Sequence, residues 1–438
     1  MKCYIGLGSN LGDRKKNIQL AASRLANLVA SSLPSCQNAL RASPLFESKA
    51  LVPQGAPSEW SLPFLNAVLE IDWSGTPRDL LRALQTIEQQ IGRTPGPRWS
   101  PRIIDLDLLV FGNAQFSEPD LQIPHPEMSH RRFVLDPLKH LAPTLTPPGW
   151  KQTVLARSRE LKDSHPLWMG ILNLTPDSVS DGGELLNESL LEKKISFWLE
   201  NDISILDLGG ESTRPGATAI TQTEEERRLS PALKIIKHKL ALGSVANIEN
   251  PFRPWISVDT RSPLTGAKAL EFGVDIINDV SGLTDSAWFP LLKASSCQYV
   301  LMHSLSVPAN PNQVLREDQD PVDQVKSWAQ LKLQELTTHG ISLDRIIFDP
   351  GVGFGKTPGQ SLILLQRMNE FLDLPVRLMI GASRKSFMSL WSQGRPQERD
   401  SFSLGVSVQL AQRGCDILRV HEAIQHKQAF RAFKEVQS

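Results

Sequence analysis

Short apolar runs alternate with polar positions along the C-terminal part of the chain, and this pattern predicts a parallel sheet. Eight such runs lie between Trp168 and His421, separated by segments of helix length. Strands joined by crossover helices give this pattern, and eight units predict a (β/α)8 TIM barrel. Polar residues able to bind a ligand follow nearly all of the runs: Asn173, Glu211, Asp259, Asn278 with Asp279, His303, Asp349, Ser383, and Arg419 with His421. Because a barrel gathers its strand ends at one mouth, the repetition predicts an enzyme.

The N-terminal part has a different order of elements. Its pattern predicts a strand at 2–8, a helix at about 15–29, strands at about 40–47 and 65–73, a helix at 77–91 and a strand at 103–111. This β-α-β-β-α-β order predicts an α+β ferredoxin-like domain. Thr76 before Pro77 is a suitable N-cap for the second helix. A proline-rich stretch at 142–150 separates a first domain, 1–160, from a barrel domain, 167–438.

Composition narrows the classes of partner and compartment. The 47 basic residues balance 47 acidic residues, so no overall charge favours nucleic acid or an acidic membrane. No apolar run approaches the roughly 20 residues that a membrane-spanning helix needs. The four cysteines form no CxxC pair and no zinc spacing, and we interpret them as reduced thiols. A cytoplasmic protein that binds small molecules, and neither nucleic acid nor membrane, is the expectation.

Two glycine-rich stretches resemble nucleotide-binding motifs but depart from them. In the stretch from Gly6 to Gly12 the third glycine is one position late for a dinucleotide fingerprint, and no second βα unit follows. In the stretch from Gly351 to Thr357, Pro350 replaces the first glycine of a Walker loop. Neither stretch supports a Rossmann or P-loop site.

Two carboxylates in the first domain indicate phosphoryl-transfer chemistry. Asp105 and Asp107 are two apart on a predicted strand, so their side chains share a face about 6.6 Å apart along the chain. Such a pair can hold two Mg²⁺ ions roughly 3.5–4 Å apart, which clamp a phosphoryl group. Nearby cations could carry the charge of a triphosphate: Arg93, Arg98, Arg102 and Arg131, with His125. A solvated strand face for the carboxylates and an ordinary histidine are the alternatives.

The strings FLNAVLE, RWSPRIIDLDLLVFG, IPHPEM and RRFVLDPL resemble 6-hydroxymethyl-7,8-dihydropterin pyrophosphokinase over residues 1 to about 160. That family transfers pyrophosphate from ATP to a pterin hydroxymethyl group. The resemblance implies that Asp105 and Asp107 hold two magnesium ions, that Asn66 and Phe133 hold the pterin, and that the nucleotide phosphates contact Arg93, Arg98, Arg102, His125 and Arg131. Phe64 stands where some relatives have tyrosine, and the loop at 47–61 is longer.

The polar strand ends of the barrel suit two different tasks. Asp259, Asn278, Asp349 and Lys385 offer acceptors and donors for an aminopyrimidinone edge, whose unmatched polar atoms would cost about 1–3 kcal/mol each. Cations and polar groups for a pyrophosphate and its metal are Asn173, Thr213, Arg214, Arg419 and His421. Taken singly, Asp349 before Pro350 could be a turn former and Lys385 a solvated charge.

The strings MGILNLTPDSVSDGG, LDLGGESTRPGA, WISVDT, IINDVSGL, LMHS, IIFDPGVGFGKT, GASRKS and ILRVHE resemble dihydropteroate synthase over residues 167–430. That family joins the pterin pyrophosphate to p-aminobenzoate and releases pyrophosphate. The resemblance assigns Asn173 to one magnesium ion and Thr213 with Arg214 to a substrate-ordering loop. The pterin would be held by Asp259, Asn278, Asp349, Phe354 and Lys385, the aminobenzoate carboxylate by Ser386 at a helix N-terminus, and pyrophosphate by Arg419 and His421.

These resemblances predict a bifunctional transferase whose first product is the substrate of its second domain. The proposed catalytic residues are Asp105, Asp107, Arg93, Arg102, Arg419 and His421. Barrels of this family tend to dimerise, so a homodimer through the barrel is expected. Val179 stands where the family often has phenylalanine, which bears on sulfonamide sensitivity. The alternatives are a pterin-binding methyltransferase barrel and a pterin-binding scaffold with an inactive kinase half.

Overall fold

The computed structural model describes residues 1–32, 40–175, 188–212, 218–241, 250–310, 312–392 and 394–437. The chain divides into two compact units. The first contains residues 1–162 together with 250–253, and the second contains the other described residues from 163 onward. In the first unit Phe252 is buried in the hydrophobic core, and Gln19 donates a hydrogen bond to Asn250. The chain therefore returns to the first unit from within the barrel sequence.

The first unit is built on an antiparallel sheet in the order β2-β4-β1-β5, with β3 also paired to β4. This order and these directions confirm the ferredoxin-like prediction. The strands are β1 (Lys2–Ser9), β2 (Leu40–Ala42), β3 (Phe46–Ser48), β4 (Phe64–Asp72) and β5 (Asp105–Phe111), with a separate hairpin of β6 (Phe116–Glu118) and β7 (Leu121–Ile123). The helices are α1 (Arg14–Ser32), α2 (Pro77–Ile91), α3 (Arg132–Leu141) and α4 (Val154–Glu160).

Apolar side chains cover both faces of this sheet. Helices α1 and α2 pack on one face, where Ile18, Leu25 and Leu84 are buried, and α3 packs on the other. The predicted start of α2 is confirmed, because the Thr76 side chain accepts a hydrogen bond from the Asp79 backbone N–H in a capping box.

The single strand predicted at about 40–47 is wrong in detail, since two short strands, β2 and β3, occupy that region. Ser43 lies at the break, where its hydroxyl accepts a hydrogen bond from the Val68 backbone N–H at 3.0 Å. Pro44 follows and has no N–H to offer a neighbouring strand. The side-chain bond and the proline together interrupt the ladder.

The second unit is a closed barrel of eight parallel strands in the order β10-β11-β12-β13-β14-β15-β8-β9, which confirms the barrel prediction. The strands are β8 (Leu167–Asn173), β9 (Ile205–Gly209), β10 (Trp255–Asp259), β11 (Ile276–Asp279), β12 (Gln298–Met302), β13 (Ile346–Asp349), β14 (Arg377–Ile380) and β15 (Ile417–Val420). The helices are α5 (Glu188–Glu200), α6 (Gln222–Leu240), α7 (Pro263–Glu271), α8 (Trp288–Ala294), α9 (Pro321–Thr338), α10 (Pro358–Gln366), α11 (Asp400–Gln412) and α12 (Ala423–Gln437).

Polar residues named from the sequence lie at or just beyond the carboxyl ends of these strands. Asn173, Asp259 and Asp349 are the last residues of their strands, and His303 and His421 each follow one. Within the described part of the chain, no helix is both long and apolar enough to cross a membrane. Cys3, Cys297 and Cys415 are buried free thiols.

In a tight turn after β13, the backbone of Gly351 lies against the residue that follows β12. Gly351 has a φ of 67°, in the left-handed region, and its amide donates to the Asp349 carboxylate at 2.7 Å. A β-carbon at this position would overlap the carbonyl oxygen of His303, which follows β12. Only glycine permits both this conformation and this approach.

We expect Gly351→Ala to destabilise the second unit more than Gly340→Ala does. Gly340 has a φ of 79°, but no neighbouring atom lies within 4 Å of the place that a β-carbon would take, so alanine there adds only the conformational cost of about 1–2 kcal/mol. Alanine at 351 adds overpacking of about 1–3 kcal/mol. Calorimetric unfolding of both variants tests this difference. Equal shifts in the unfolding temperature would show that the close approach to His303 has no energetic weight.

Candidate active sites

Asp105 and Asp107, both on β5, lie on one side of the sheet of the first unit. Asp105 pairs with Gly8 of β1, and Asp107 pairs with Gly6. The alternate residues of β5, Leu106 and Leu108, are buried in the core with α1 and α2. The period of a strand then sends both carboxylates to the opposite face. The predicted pair therefore lies together.

The two carboxylates have unequal surroundings. Asp105 accepts salt bridges from Arg93 and Arg102, each with a guanidinium nitrogen 2.8 Å from the Asp105 Oδ1 atom. The pKa of Asp107 is raised to about 7, first by burial and then by the charge of Asp105, while Arg131 opposes the shift. Two repelling carboxylates with hard oxygen atoms fit a divalent cation such as Mg²⁺.

Within the described residues, no group of three histidine, cysteine, aspartate or glutamate side chains is placed to hold a metal. The protein thus offers Asp105 and Asp107, and other ligands would come from phosphate and water, as is usual for Mg²⁺.

Glu88 of α2 is a part of this site that the sequence analysis missed. It is buried, pairs with Arg93, and accepts a hydrogen bond from the Leu106 backbone N–H at 2.8 Å. Burial raises the pKa of Glu88, and Asp105 adds to that rise. Glu88 thus joins the helix to β5 beside the carboxylates. Its position among apolar residues of an amphipathic helix gave no signal in the sequence.

Asn10 is a second residue that the sequence analysis missed. Its amide oxygen accepts a hydrogen bond from the Arg102 backbone N–H at 2.7 Å, and its own backbone N–H donates to the Arg102 carbonyl at 3.1 Å. Its amide nitrogen donates to the Leu62 carbonyl at 3.2 Å. One buried amide therefore fixes the backbone beside Arg102 and the end of the loop before β4.

The remaining predicted groups of the first unit are more dispersed. Arg131 lies over the Phe133 ring, with 5.6 Å between its guanidinium carbon and the ring centre. Burial and the charge of Arg131 lower the pKa of His125. Asn66 is buried and donates to the Phe46 carbonyl and the Ser48 hydroxyl. Arg98 is exposed over Trp99, and the described contacts do not join it to Asp105.

A cavity lies at the mouth of the barrel and is partly open to solvent, with about 330 Å³ of empty space when the open part is counted. Six of the predicted residues line it together with five that were not predicted, Val280, Met302, Gly351, Val352 and Gly381. The six are Asp259, Asn278, Asp349, Phe354, Lys385 and Arg419.

Arg419 is held in this cavity by two carboxylates. It contacts Asp207 at 2.6 Å and Asp259 at 2.7 Å through one guanidinium nitrogen. A second nitrogen, Nε, donates to Asp207 at 2.7 Å. Burial raises the pKa of Asp259 to about 7, Arg419 opposes this and Asp207 adds to it. The site therefore keeps one guanidinium between two buried acids.

Asp207 is the functional residue of the barrel that the sequence analysis missed. It is fully buried in β9 and also accepts a weak hydrogen bond, 3.4 Å long, from the Asn278 amide. A charged residue inside the apolar run ISILDLG was the available signal. Burial of a charge requires a partner, so an aspartate within a barrel strand predicts a cation facing it.

Lys385 and Phe354 also line the cavity. The Lys385 ammonium nitrogen is 4.1 Å from the centre of the Phe354 ring, within cation–π range. Lys385 follows Arg384, whose φ is 59° and whose guanidinium binds Asp400 and Glu422. These ion pairs fix the turn that presents Lys385.

Ser386 is exposed and begins a five-residue 3₁₀ helix, Ser386–Leu390. The expected helix N-terminus at Ser386 is thus that of a short 3₁₀ helix, which has little aligned dipole. His421 lies beside this region, with its Nδ1 atom 3.0 Å from the Ser383 hydroxyl.

Asn173 ends β8 next to Gly209, where a β-carbon would lie 3.5 Å from the Asn173 amide oxygen. One amide oxygen is a weak metal site by itself. Thr213, Arg214 and Val179 lie outside the described residues.

Comparison with known proteins also divides the chain into two parts. Residues 4–143 match the family profile of 7,8-dihydro-6-hydroxymethylpterin-pyrophosphokinase, and residues 169–421 match that of pterin binding enzymes. A folate synthesis bifunctional protein from Chlamydia trachomatis is 32% identical over 98% of this chain and 96% of its own length. A folic acid synthesis protein from Schizosaccharomyces pombe is 33% identical over 96% of this chain and 57% of its own length.

Solved structures match the second unit. A dihydropteroate synthase from Xanthomonas albilineans with 4-aminobenzoic acid is 32% identical, covering 63% of this chain and 94% of its own, with a TM-score of 0.55. One from Anaplasma phagocytophilum with bound 6-hydroxymethylpterin-monophosphate is 29% identical, covering 62% of this chain and 99% of its own, with a TM-score of 0.55. With both profiles matched in order and relatives aligned over nearly its full length, this chain belongs to the family of bifunctional folate synthesis proteins.

Proposed function

We propose that the side chains described above carry out the two transfer reactions of this family in succession. The first unit transfers pyrophosphate from ATP to 6-hydroxymethyl-7,8-dihydropterin. The second unit condenses that product with p-aminobenzoate to give 7,8-dihydropteroate and pyrophosphate. The observation that carries the proposal is the barrel cavity, where six residues named from the sequence converge.

In the first unit Asp105 and Asp107 would hold two Mg²⁺ ions, which would neutralise the phosphates of ATP. Arg93 and Arg102 contact Asp105, so their charge lies where a triphosphate would bind. Arg98, His125 and Arg131 would contact the phosphates from the periphery. Phe133 and Asn66 would hold the pterin by ring contact and hydrogen bonding.

In the barrel, Asp259, Asn278, Asp349 and Lys385 would bind the polar edge of the pterin. Burial raises the pKa of both Asp259 and Asp349, and hydrogen bonds from a guanidine-like ligand edge would stabilise their charged forms. Such matching makes the site selective, because a ligand lacking those donors leaves buried acids unpaired.

Departure of pyrophosphate leaves positive charge on the pterin methylene carbon, which the electron-rich ring spreads. Arg419 and His421 would stabilise the leaving group, and the place of Arg419 in the cavity also supports contact with the ring. Asn173 would supply one ligand to a single Mg²⁺ ion, with Thr213 and Arg214 ordering the substrates and Ser386 binding the aminobenzoate carboxylate. The amine of p-aminobenzoate then attacks this held carbon and loses a proton as the C–N bond forms.

We also propose a cellular compartment and an assembly state for the protein. Three buried free thiols agree with a reducing compartment such as the cytoplasm. A homodimer through the barrel stays a prediction, which sedimentation of the full chain would test.

We expect Asp107→Asn to reduce pyrophosphokinase activity on the order of 100-fold, because it removes charge from the proposed metal site. Dihydropteroate formation from supplied pterin pyrophosphate should be unchanged. Separate assays of the two reactions give the measurement. Asp120→Asn is the control, since this exposed carboxylate pairs only with Arg78 in the described contacts. Full kinase activity in Asp107→Asn would exclude this carboxylate from the site.

We expect Arg419→Ala to reduce condensation about 100-fold or more while pyrophosphokinase activity persists. The variant loses the positive charge that would stabilise the leaving group, and it also leaves Asp207 and Asp259 without their guanidinium partner. Arg419→Lys keeps one charge and should retain more activity and more thermal stability than the alanine variant. Equal loss of both enzyme activities in a folded variant would contradict the assignment of two separate sites.

A further inference from the structure

Lys356, in the turn after β13, has a buried ammonium group that none of the proposed roles uses. The residue is 6% exposed. Its Nζ atom lies 2.9 Å from the His303 Nδ1 atom, 2.8 Å from the Phe354 carbonyl oxygen and 3.4 Å from the His303 carbonyl oxygen. A buried charge at this point of the barrel mouth needs an explanation beyond packing.

The three neighbours of Lys356 match an ammonium group in number and in kind. An ammonium group has three N–H donors and no acceptor. Burial and the charge of Lys356 lower the pKa of His303 to about 3, so its ring is neutral and Nδ1 can accept. The two carbonyl oxygens accept the remaining protons. A charged lysine is thus fully satisfied here.

The turn that Lys356 holds is rich in glycine. Gly351, Gly353 and Gly355 all have positive φ, at 67°, 81° and 65°. Hydrogen bonds within the turn run from the Gly351 amide to Asp349 and from the Phe354 amide to the Gly351 carbonyl. Lys356 adds bonds from a charged donor, which join this backbone at Phe354 to the end of β12 at His303.

The residue placed by this turn is Phe354, which lines the pterin cavity and faces the Lys385 ammonium at 4.1 Å. Phe354 packs with Val280 and Met302, two other lining residues. Displacement of its carbonyl would move the ring relative to these neighbours and to Lys385. The geometry of one wall of the cavity therefore depends on the bond from Lys356.

We propose that Lys356 is a positioning residue for the synthase, which fixes the turn carrying Phe354 and so sets the affinity for the pterin substrate. This inference rests on the proposed function of the barrel. Lys356 itself does not line the cavity. Its effect on the pterin should therefore be indirect, through Phe354.

The charged groups around Lys356 predict a pH dependence. Burial lowers the pKa of Lys356 to about 7, Lys385 lowers it further and Asp349 opposes the shift. His303, from β12, stays neutral across this range. Below about pH 7 the ammonium has its three donors. Above it the amine loses one donor, so the turn loosens and pterin affinity falls as pH rises.

The test compares Lys356→Met with wild type in the full chain. We expect the KM for pterin pyrophosphate, and the Kd for the unreactive 6-hydroxymethylpterin, to rise about 10-fold. Lys326→Met, which breaks only an exposed ion pair with Asp373, is the control. A far-UV circular dichroism spectrum and a thermal unfolding profile like those of wild type show that the variant is folded.

Two further measurements distinguish positioning from a general structural role. Subtracting the pH profile of pterin affinity in Lys356→Met from that of wild type should leave a step near pH 7. In a double-mutant cycle with Phe354→Leu, the two losses should be clearly less than additive, because both act on one wall.

Unchanged pterin affinity in folded Lys356→Met would overturn the inference, as would additive losses in the cycle. Should Lys356→Met not fold, His303→Gln, which changes one acceptor and keeps the ammonium, should raise the same KM by a smaller factor, and no rise there refutes the inference equally. Failure of wild type to form dihydropteroate would instead refute the proposed function.

Discussion

The interior of the barrel mouth depends on the ion pairs that one guanidinium forms with two carboxylates. Arg419 of β15 lies between Asp207 of β9 and Asp259 of β10. None of these charges is stable alone in a buried site, but together they cost far less, because each is paired and hydrogen-bonded. Asn278 reaches the same cluster through Asp207. Strands β9 and β10 are thereby tied to β15, at least 160 residues further along the chain, in the arrangement that shapes the cavity.

In the first unit, the two carboxylates of the site are paired unequally. Asp105 and Asp107 lie side by side, and the nearest arginines bind Asp105. Asp107 keeps a raised pKa because the described cations do not offset its burial. Two adjacent carboxylates, one of them outside the arginine ion pairs, offer oxygen ligands to metal ions, whereas the buried acids of the barrel can accept hydrogen bonds from a neutral ring with polar edges. The pairing of the carboxylates in each site thus agrees with the chemistry proposed for it.

Strand and helix order could be predicted because hydrophobic periodicity follows from burial, as α2 and the eight barrel strands show. Asp259, Asn278 and Asp349 could be located because a barrel places strand ends at one mouth. The family resemblance supplied the roles of Phe354 and Lys385, which periodicity could not. Asn10, Glu88 and Asp207 were missed because their importance lies in bonds to residues far along the chain. The break between β2 and β3 depends on a serine hydroxyl and the proline beside it, and hydrophobic periodicity registers neither effect.

The return of residues 250–253 to the first unit has a consequence for dissecting this protein. Neither unit is a continuous stretch of sequence, since the polypeptide leaves the barrel after α6 and re-enters it at β10. A barrel expressed by itself would carry Phe252 without the apolar neighbours that bury it. The truncated N-terminal fragment would correspondingly have a gap in its interior. Each unit therefore contains segments that lie on both sides of a segment of the other in the sequence. Expressing either unit from one continuous stretch of sequence would destabilise it.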